Sequence, residues 1–182
     1  TSYGITEQAA KIHRLVKVDT KYCAKTFADE YDLDEQVLLT STRACYNNID
    51  ADLQKPFEFV EAVCSRLVES GGSNFLVTHR DKKSLDEMMS SSGIGALLTE
   101  SITRDDGFPL KPDPTSFISI INKYELNPLE TVGIGDRELD VLAANTAGIG
   151  SIFFCPDGGT HPQANRNISC FSEMLEDNQW PD

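Results

Sequence analysis

Asp136 and Asp140 stand four residues apart just after the short apolar run Thr131-Val132-Gly133-Ile134, a spacing that puts two carboxylates on one face of a helix. Aimed at one point, they repel each other unless a cation lies between them. Hard oxygen donors suit Mg²⁺, and Mg²⁺ held by one or two carboxylates commonly also holds a phosphate. The plainer alternative is that Asp136 caps the helix and Asp140 faces solvent. Two further groups suit phosphate. Thr78 ends the run Phe75-Leu76-Val77 and offers a hydroxyl, with backbone N–H groups nearby. Lys111 sits in the proline-bounded segment Pro109-Leu110-Lys111-Pro112, where it can bring a point positive charge to developing negative charge. His79 and Arg80 follow Thr78 and are candidate substrate-binding residues, although a solvated strand end reads the same way. His79 is not assigned as a general base, because that role is a matter of geometry. Thr, Lys and an acidic pair, in that order, form a phosphoryl-transfer constellation without its nucleophile.

The elements that must position these groups are alternating strands and helices. The strand Asn74 to His79, a weaker strand Glu100 to Thr103, the strand at Thr131, a strand Ile149 to Phe154 and a short one at Ile168-Ser169-Cys170 are separated by amphipathic helices. The helices are expected from Pro56 to Val68, stopped by Gly71-Gly72; from the capping box Ser84-Leu85-Asp86-Glu87; from the cap Asp113 through Phe117, Ile120, Ile121 and Tyr124; from Arg137 to Thr146, stopped by Gly148; and from Ser172 to Leu175. That order means a parallel α/β sheet, Rossmann-like, with its ligand site outside the carboxyl ends of the strands. Residues 1–54 read differently, as helices only. One runs over residues 6–16 with Ile5, Ala9, Ile12 and Val16 on a face, a second follows Asp19 or Thr20 with Tyr22, Cys23 and Phe27 apolar, and a third runs from Asp34 through Val37, Leu38, Thr42 and Cys45. The expected division is thus a small helical part, 1–54, and an α/β core, 55–182.

Charge and cysteine usage narrow the function classes. The 182 residues carry 16 basic against 29 acidic side chains, a net charge of −13, which argues against a nucleic-acid partner or an anionic membrane surface and for a small-molecule substrate. A hydrophobic share of 40% suffices for a real core. Five cysteines, an odd number without a C-x-x-C pair, suggest neither a disulfide framework nor a zinc site and fit a reducing cytoplasm. No apolar stretch is long enough to span a bilayer, and Thr1-Ser2-Tyr3-Gly4 has no signal-peptide character.

The segments Phe75-Leu76-Val77-Thr78-His79-Arg80, Gly107-Phe108-Pro109-Leu110-Lys111-Pro112 and Gly133-Ile134-Gly135-Asp136-Arg137-Glu138-Leu139-Asp140 resemble the second, third and fourth motifs of the haloacid dehalogenase-like hydrolase superfamily, in its phosphoglycolate phosphatase-like branch with a helical cap. The resemblance covers residues 56–176 and, more loosely, the helices before them. It implies a Mg²⁺-dependent phosphatase acting on a small phosphorylated metabolite through an aspartyl-phosphate. In it Thr78 binds the phosphoryl group, Lys111 neutralises nucleophile and phosphoryl charge, and Asp136 with Asp140 positions Mg²⁺. The cap would close over the site and choose the substrate. Ser101, Arg104 and Asp106 are weaker candidates for lining the pocket.

The superfamily's first motif, an apolar strand running into Asp-x-Asp-Gly-Thr, is not in this sequence. Tyr31-Asp32-Leu33-Asp34-Glu35 has the Asp-x-Asp spacing but no strand before it and no Gly-Thr turn after it, so it reads as the joint between two helices. An interior strand missing from a parallel sheet leaves two unpaired edges and a poorly stable core, so a preceding segment carrying the nucleophile is the favoured expectation. The alternatives are a non-catalytic phosphometabolite-binding protein, a sugar-phosphate mutase or a C–halogen hydrolase of the same fold. A receiver-like signalling domain is disfavoured, because there the acidic pair comes first and the lysine late.

Overall fold

The computed structural model describes residues 6–7, 11–12, 15–16, 20–47, 55–90 and 92–176. The chain divides into two units, Thr1–Asp50 and Ala51–Asp182. In the first unit the described residues are helical at 11–12 and 15–16, then in α1, Thr20–Tyr31, and α2, Glu35–Asn47. The joint between α1 and α2 holds the Asp-x-Asp segment: Asp32 takes φ 54° and Asp34 Oδ1 accepts from Val37 N at 2.8 Å, capping α2. Leu15, Cys23, Ala24, Ala28 and Leu39 are the buried apolar residues of this unit. Three side chains expected on the buried faces are instead well exposed, Ile12 at 40%, Tyr22 at 51% and Val37 at 49%. In α1 the buried positions are Cys23, Ala24 and Ala28. Ile5, Ala9 and Asp19, with the Cys45 side chain, lie outside the described residues.

The second unit alternates helix and strand: α3 Val60–Glu69, β1 Asn74–Val77, α4 Lys82–Ser90, β2 Leu98–Ile102, α5 Thr115–Lys123, β3 Val132–Gly135, α6 Glu138–Ala147, β4 Gly150–Phe154, β5 Arg166–Ile168 and α7 Glu173–Glu176, with short 3₁₀ turns between some of them. Every pairing is parallel, β1 with β2 and, in a second sheet, β3 with β4 and β4 with β5. Among the described residues β1 and β3 each pair on one side only. The core of the three-stranded sheet is Ile152, Phe154, Ile168 and Met174, packed by Val63, Val132 and Phe171. Helix α6 lies close on its sheet because Val141, Ala143 and Ala144 are almost fully buried and a Cβ at Gly133 would stand 2.8 Å from that of Ala144.

Several boundaries differ from the sequence expectation; among them, β1 ends at Val77 rather than His79 and β2 starts at Leu98 rather than Glu100. Helix α3 starts at Val60 rather than Pro56, because Phe59 takes φ 66°, outside helical space, while Phe57 turns onto Phe154 with ring centroids 4.6 Å apart. Helix α4 starts at Lys82, and its cap is Asp81, whose Oδ1 accepts from Ser84 N at 2.7 Å, so Ser84 is inside the first turn. The last strand ends at Ile168, because the Ser169 and Cys170 N–H groups donate to Glu173 Oε1 at 2.8 and 3.0 Å and so belong to the start of α7. The described cysteine side chains Cys23, Cys64, Cys155 and Cys170 are free thiols, and no helix of the described residues is long and apolar enough to cross a membrane.

Candidate active site

The carboxyl ends of β1 and β3 carry the chemistry-bearing residues. Thr78 continues the β1–β2 ladder by one bond, donating its N–H to Ile102 O at 2.9 Å. Its Oγ1 then accepts from Arg80 N at 3.1 Å, a side-chain turn that ends the strand. Successive residues of a strand direct their N–H and C=O groups to opposite sides, so the Val77 carbonyl points away from β2. Lys111 Nζ donates to it at 2.7 Å. The same ammonium stands 2.7 Å from Asp140 Oδ1, with both side chains 9% exposed.

Asp140 is on the first turn of α6, and its Oδ2 accepts from Arg137 N at 3.1 Å, so one carboxylate both caps the helix and holds the lysine. Gly135 makes that position possible. A Cβ there would stand 2.2 Å from Asp140 Cβ and 2.5 Å from Oδ2, a space that no side chain can share. Asp136 follows β3 directly, between Gly135 and the cap residue Arg137.

His79 is tied to the same loop. Its Nε2 accepts from the backbone N–H of Lys111 at 2.9 Å. Burial, followed by the charges of Lys111 and Arg137, pushes its pKa down to about 4, with Asp140 pulling weakly the other way. Thr78, His79 and Lys111 line one small cavity of about 10 Å³ with Phe108, Thr103 and Ser116.

Thr103 and Ser116 were not singled out from sequence. Thr103 is 3% exposed, and its N–H and hydroxyl both donate to Asp106 Oδ2 at 2.7 Å. The spacing of Thr103 and Asp106 was a readable signal for that cap, since a Thr followed three residues later by an acid is a reciprocal capping pair. Nothing in the sequence marks Ser116, a buried position on α5. Ser101, Arg104 and Asp106 do not line the cavity. Ser101 pairs within the sheet opposite Leu76, Arg104 N donates to Arg80 O at 2.9 Å, and Asp106 is occupied with Thr103, whose bonds hold its carboxyl below the usual range. Arg80 is also outside the cavity lining, with its Nη1 donating to Ser84 Oγ at 3.1 Å.

Comparison with known proteins bears on the family and the fold. A phosphoglycolate phosphatase of Vibrio vulnificus (strain CMCP6) is 27% identical over 107 residues, 58% of this chain and 46% of that protein. The crystal structure of a hydrolase from Streptococcus pneumoniae TIGR4 aligns at 30% identity and a TM-score of 0.55, covering 82% of this chain and 76% of that one. A predicted phosphoglycolate phosphatase from Haemophilus somnus shares the fold at a TM-score of 0.71 and 16% identity, over 86% of this chain and 74% of that one. The chain spans about half the length of the curated relatives it matches. The haloacid dehalogenase-like hydrolase family matches residues 2–154, and the chain, with its α/β Rossmann-like core, belongs to that family.

Proposed function

We propose that this chain forms part of a phosphatase that releases phosphate from a small phosphorylated metabolite. The observation that carries the reading is the position of Lys111, whose ammonium joins the Val77 carbonyl to the Asp140 carboxylate beside Thr78, at the carboxyl ends of parallel strands. An ammonium has three N–H donors, so with two engaged by Val77 and Asp140 the third can meet a phosphoryl oxygen. The Thr78 oxygen accepts from Arg80 N, which leaves its hydroxyl proton for a second phosphoryl oxygen. Both donors are fixed before substrate arrives, which is the arrangement that favours charge developing in a transition state. A net charge of −13 supports a small-molecule substrate rather than a nucleic acid, and the described free thiols are in keeping with a cytoplasmic setting.

A divalent cation is part of the reading. Mg²⁺ takes one or two carboxylates and fills its other positions with water and phosphate oxygen. The donor set after β3 fits that pattern, because Asp136 and Asp140 offer two hard carboxylates at the carboxyl end of a strand. Asp136 and Asp140 would together hold the ion, with the two Asp140 oxygens also engaged by Lys111 and Arg137 N. The ion would supply charge neutralisation and orientation of the phosphate. The chemistry follows the family resemblance. A carboxylate oxygen bonds to phosphorus as the P–O bond to the leaving group breaks, and water then splits the aspartyl-phosphate to release phosphate.

The test is phosphate release by the full-length protein from phosphoglycolate and a panel of sugar phosphates, with and without Mg²⁺. Release from at least one of them, reduced more than about 100-fold by Lys111→Met, is the expected result. Absence of release from every substrate would overturn the phosphatase reading.

A further inference from the structure

The nitrogen of His79 that faces Lys111 has no proton to give. Nε2 accepts the Lys111 backbone N–H at 2.9 Å, so the ring, when neutral, carries its hydrogen on Nδ1. That lone pair is therefore used up within the protein, and Nε2 serves neither as a general base nor as a hydrogen-bond donor to phosphate. The bond joins two segments that the chain does not hold together locally, the turn after β1 and the loop before α5. A second hydrogen bond from the β1 end also terminates on Lys111. His79 holds the Lys111 backbone, and Val77 O holds the Lys111 ammonium.

We infer that His79 is a positioning residue, a neutral acceptor that fixes the backbone of Lys111 so that its ammonium is set against the β1 terminus and Asp140. Lysine is a point charge on a flexible four-carbon stem, and its placement depends on where its Cα is held. A displacement of about 1 Å at a group near the reacting centre is enough to lower a rate about 100-fold. The low proton affinity of His79 agrees with the arrangement, because the acceptor role requires the neutral ring, and burial first, then Lys111, Arg137 and Arg104, disfavour the charged one, with Asp140 opposing them. A carboxylate at 79 would also accept the N–H, but it would compete with Asp140 for the ammonium. A neutral acceptor does not.

The inference rests on the phosphatase reading for its kinetic consequence alone, and its structural content is tested without substrate. The experiment is ¹⁵N NMR of the full-length protein, reading the His79 imidazole nitrogens and hydrogen exchange of the Lys111 amide, with His79→Gln and His79→Leu as variants. Glutamine places a carbonyl oxygen the same number of bonds from Cβ as Nε2, so it can accept the same hydrogen bond, and leucine cannot. The expected result is a ring protonated at Nδ1 in the wild type, a Lys111 amide protected in wild type and in His79→Gln, and at least about tenfold faster exchange in His79→Leu. In phosphate release, kcat should fall about tenfold or more in His79→Leu with KM changed less, and His79→Gln should restore most of it. A ring protonated at Nε2, or equal Lys111 exchange in all three proteins, would overturn the inference even if the enzyme is active. If the wild type releases no phosphate from any substrate, the phosphatase reading fails, while the tautomer and the amide exchange still decide the role of His79.

Discussion

Lys111 Nζ and Asp140 Oδ1 meet at 2.7 Å with both side chains 9% exposed, and the same ammonium donates to the Val77 carbonyl at 2.7 Å. Removing one partner of such a pair leaves the other charge without water or counter-ion, at a cost of about 3–5 kcal/mol. Lys111→Met is therefore expected to lower stability by about that amount, and the double variant Lys111→Met with Asp140→Leu to recover most of it. Urea unfolding of the wild type, both single variants and the double variant checks this. A loss below about 1 kcal/mol in the single variants would mean that the pair behaves as a solvated one.

Gly135 and Gly133 give a matched pair of variants. An added Cβ at Gly135 stands 2.2 Å from Asp140 Cβ, whereas one at Gly133 stands 2.8 Å from Ala144 Cβ. Overpacking of either kind costs about 1–3 kcal/mol. Only Gly135→Ala also pushes Asp140 away from Lys111, so phosphate release should fall at least about tenfold more in Gly135→Ala than in Gly133→Ala at comparable stability. Thermal melts alongside kcat/KM measure both, and equal rate losses would show that the clash is relieved without moving Asp140.

The strands and helices around this site were legible because short apolar runs ending in polar residues have one reading when helices alternate with them. Val132 to Gly135 and Gly150 to Phe154 are found where the sequence puts them to within a residue. What escaped was competition between neighbouring caps. Ser84 and Asp81 both suit a helix start, and the earlier one wins in the fold. The partnership of Lys111 with Asp140 escaped for a different reason. A solvent-facing Asp140 and a metal-binding Asp140 were both readable from the four-residue spacing, but a lysine arriving from another loop carries no periodic signal. Thr103 and Ser116 are polar residues buried by tertiary packing, which sequence pattern does not record.

Asp136 bears the metal reading. In the full-length protein, a chelator is expected to abolish phosphate release and added Mg²⁺ to restore it. Asp136→Asn, which keeps the shape and removes the charge, should raise the Mg²⁺ concentration for half-maximal release more than about tenfold. A Mg²⁺ titration of the rate, paired with calorimetric titration of Mg²⁺ into each protein, measures it. An unchanged Mg²⁺ requirement in Asp136→Asn would remove this residue from the metal site.

His79 sets a pH dependence whose sign follows from its surroundings. Burial first, then Lys111, Arg137 and Arg104, hold its pKa at about 4 against the ordinary 6.5, with Asp140 opposing them. Between these two values the unfolded chain binds the proton and the folded chain does not, so stability rises with pH across the window. The contribution is fully present above about pH 6.5, is lost as pH falls towards about 4, and changes no further below that. Solvent reaches part of the ring, which reduces the effect to about 1–2 kcal/mol. Carboxylates titrate in the lower part of the same range, so the measurement is a difference. Urea unfolding from pH 7 to pH 4 is compared for the wild type and His79→Gln, in which the carboxylates are shared and the imidazole is gone. The wild type should lose about 1–2 kcal/mol more than the variant over that span. Parallel curves would mean that the ring accepts its proton as readily folded as unfolded, and that the Lys111 amide does not depend on a neutral imidazole.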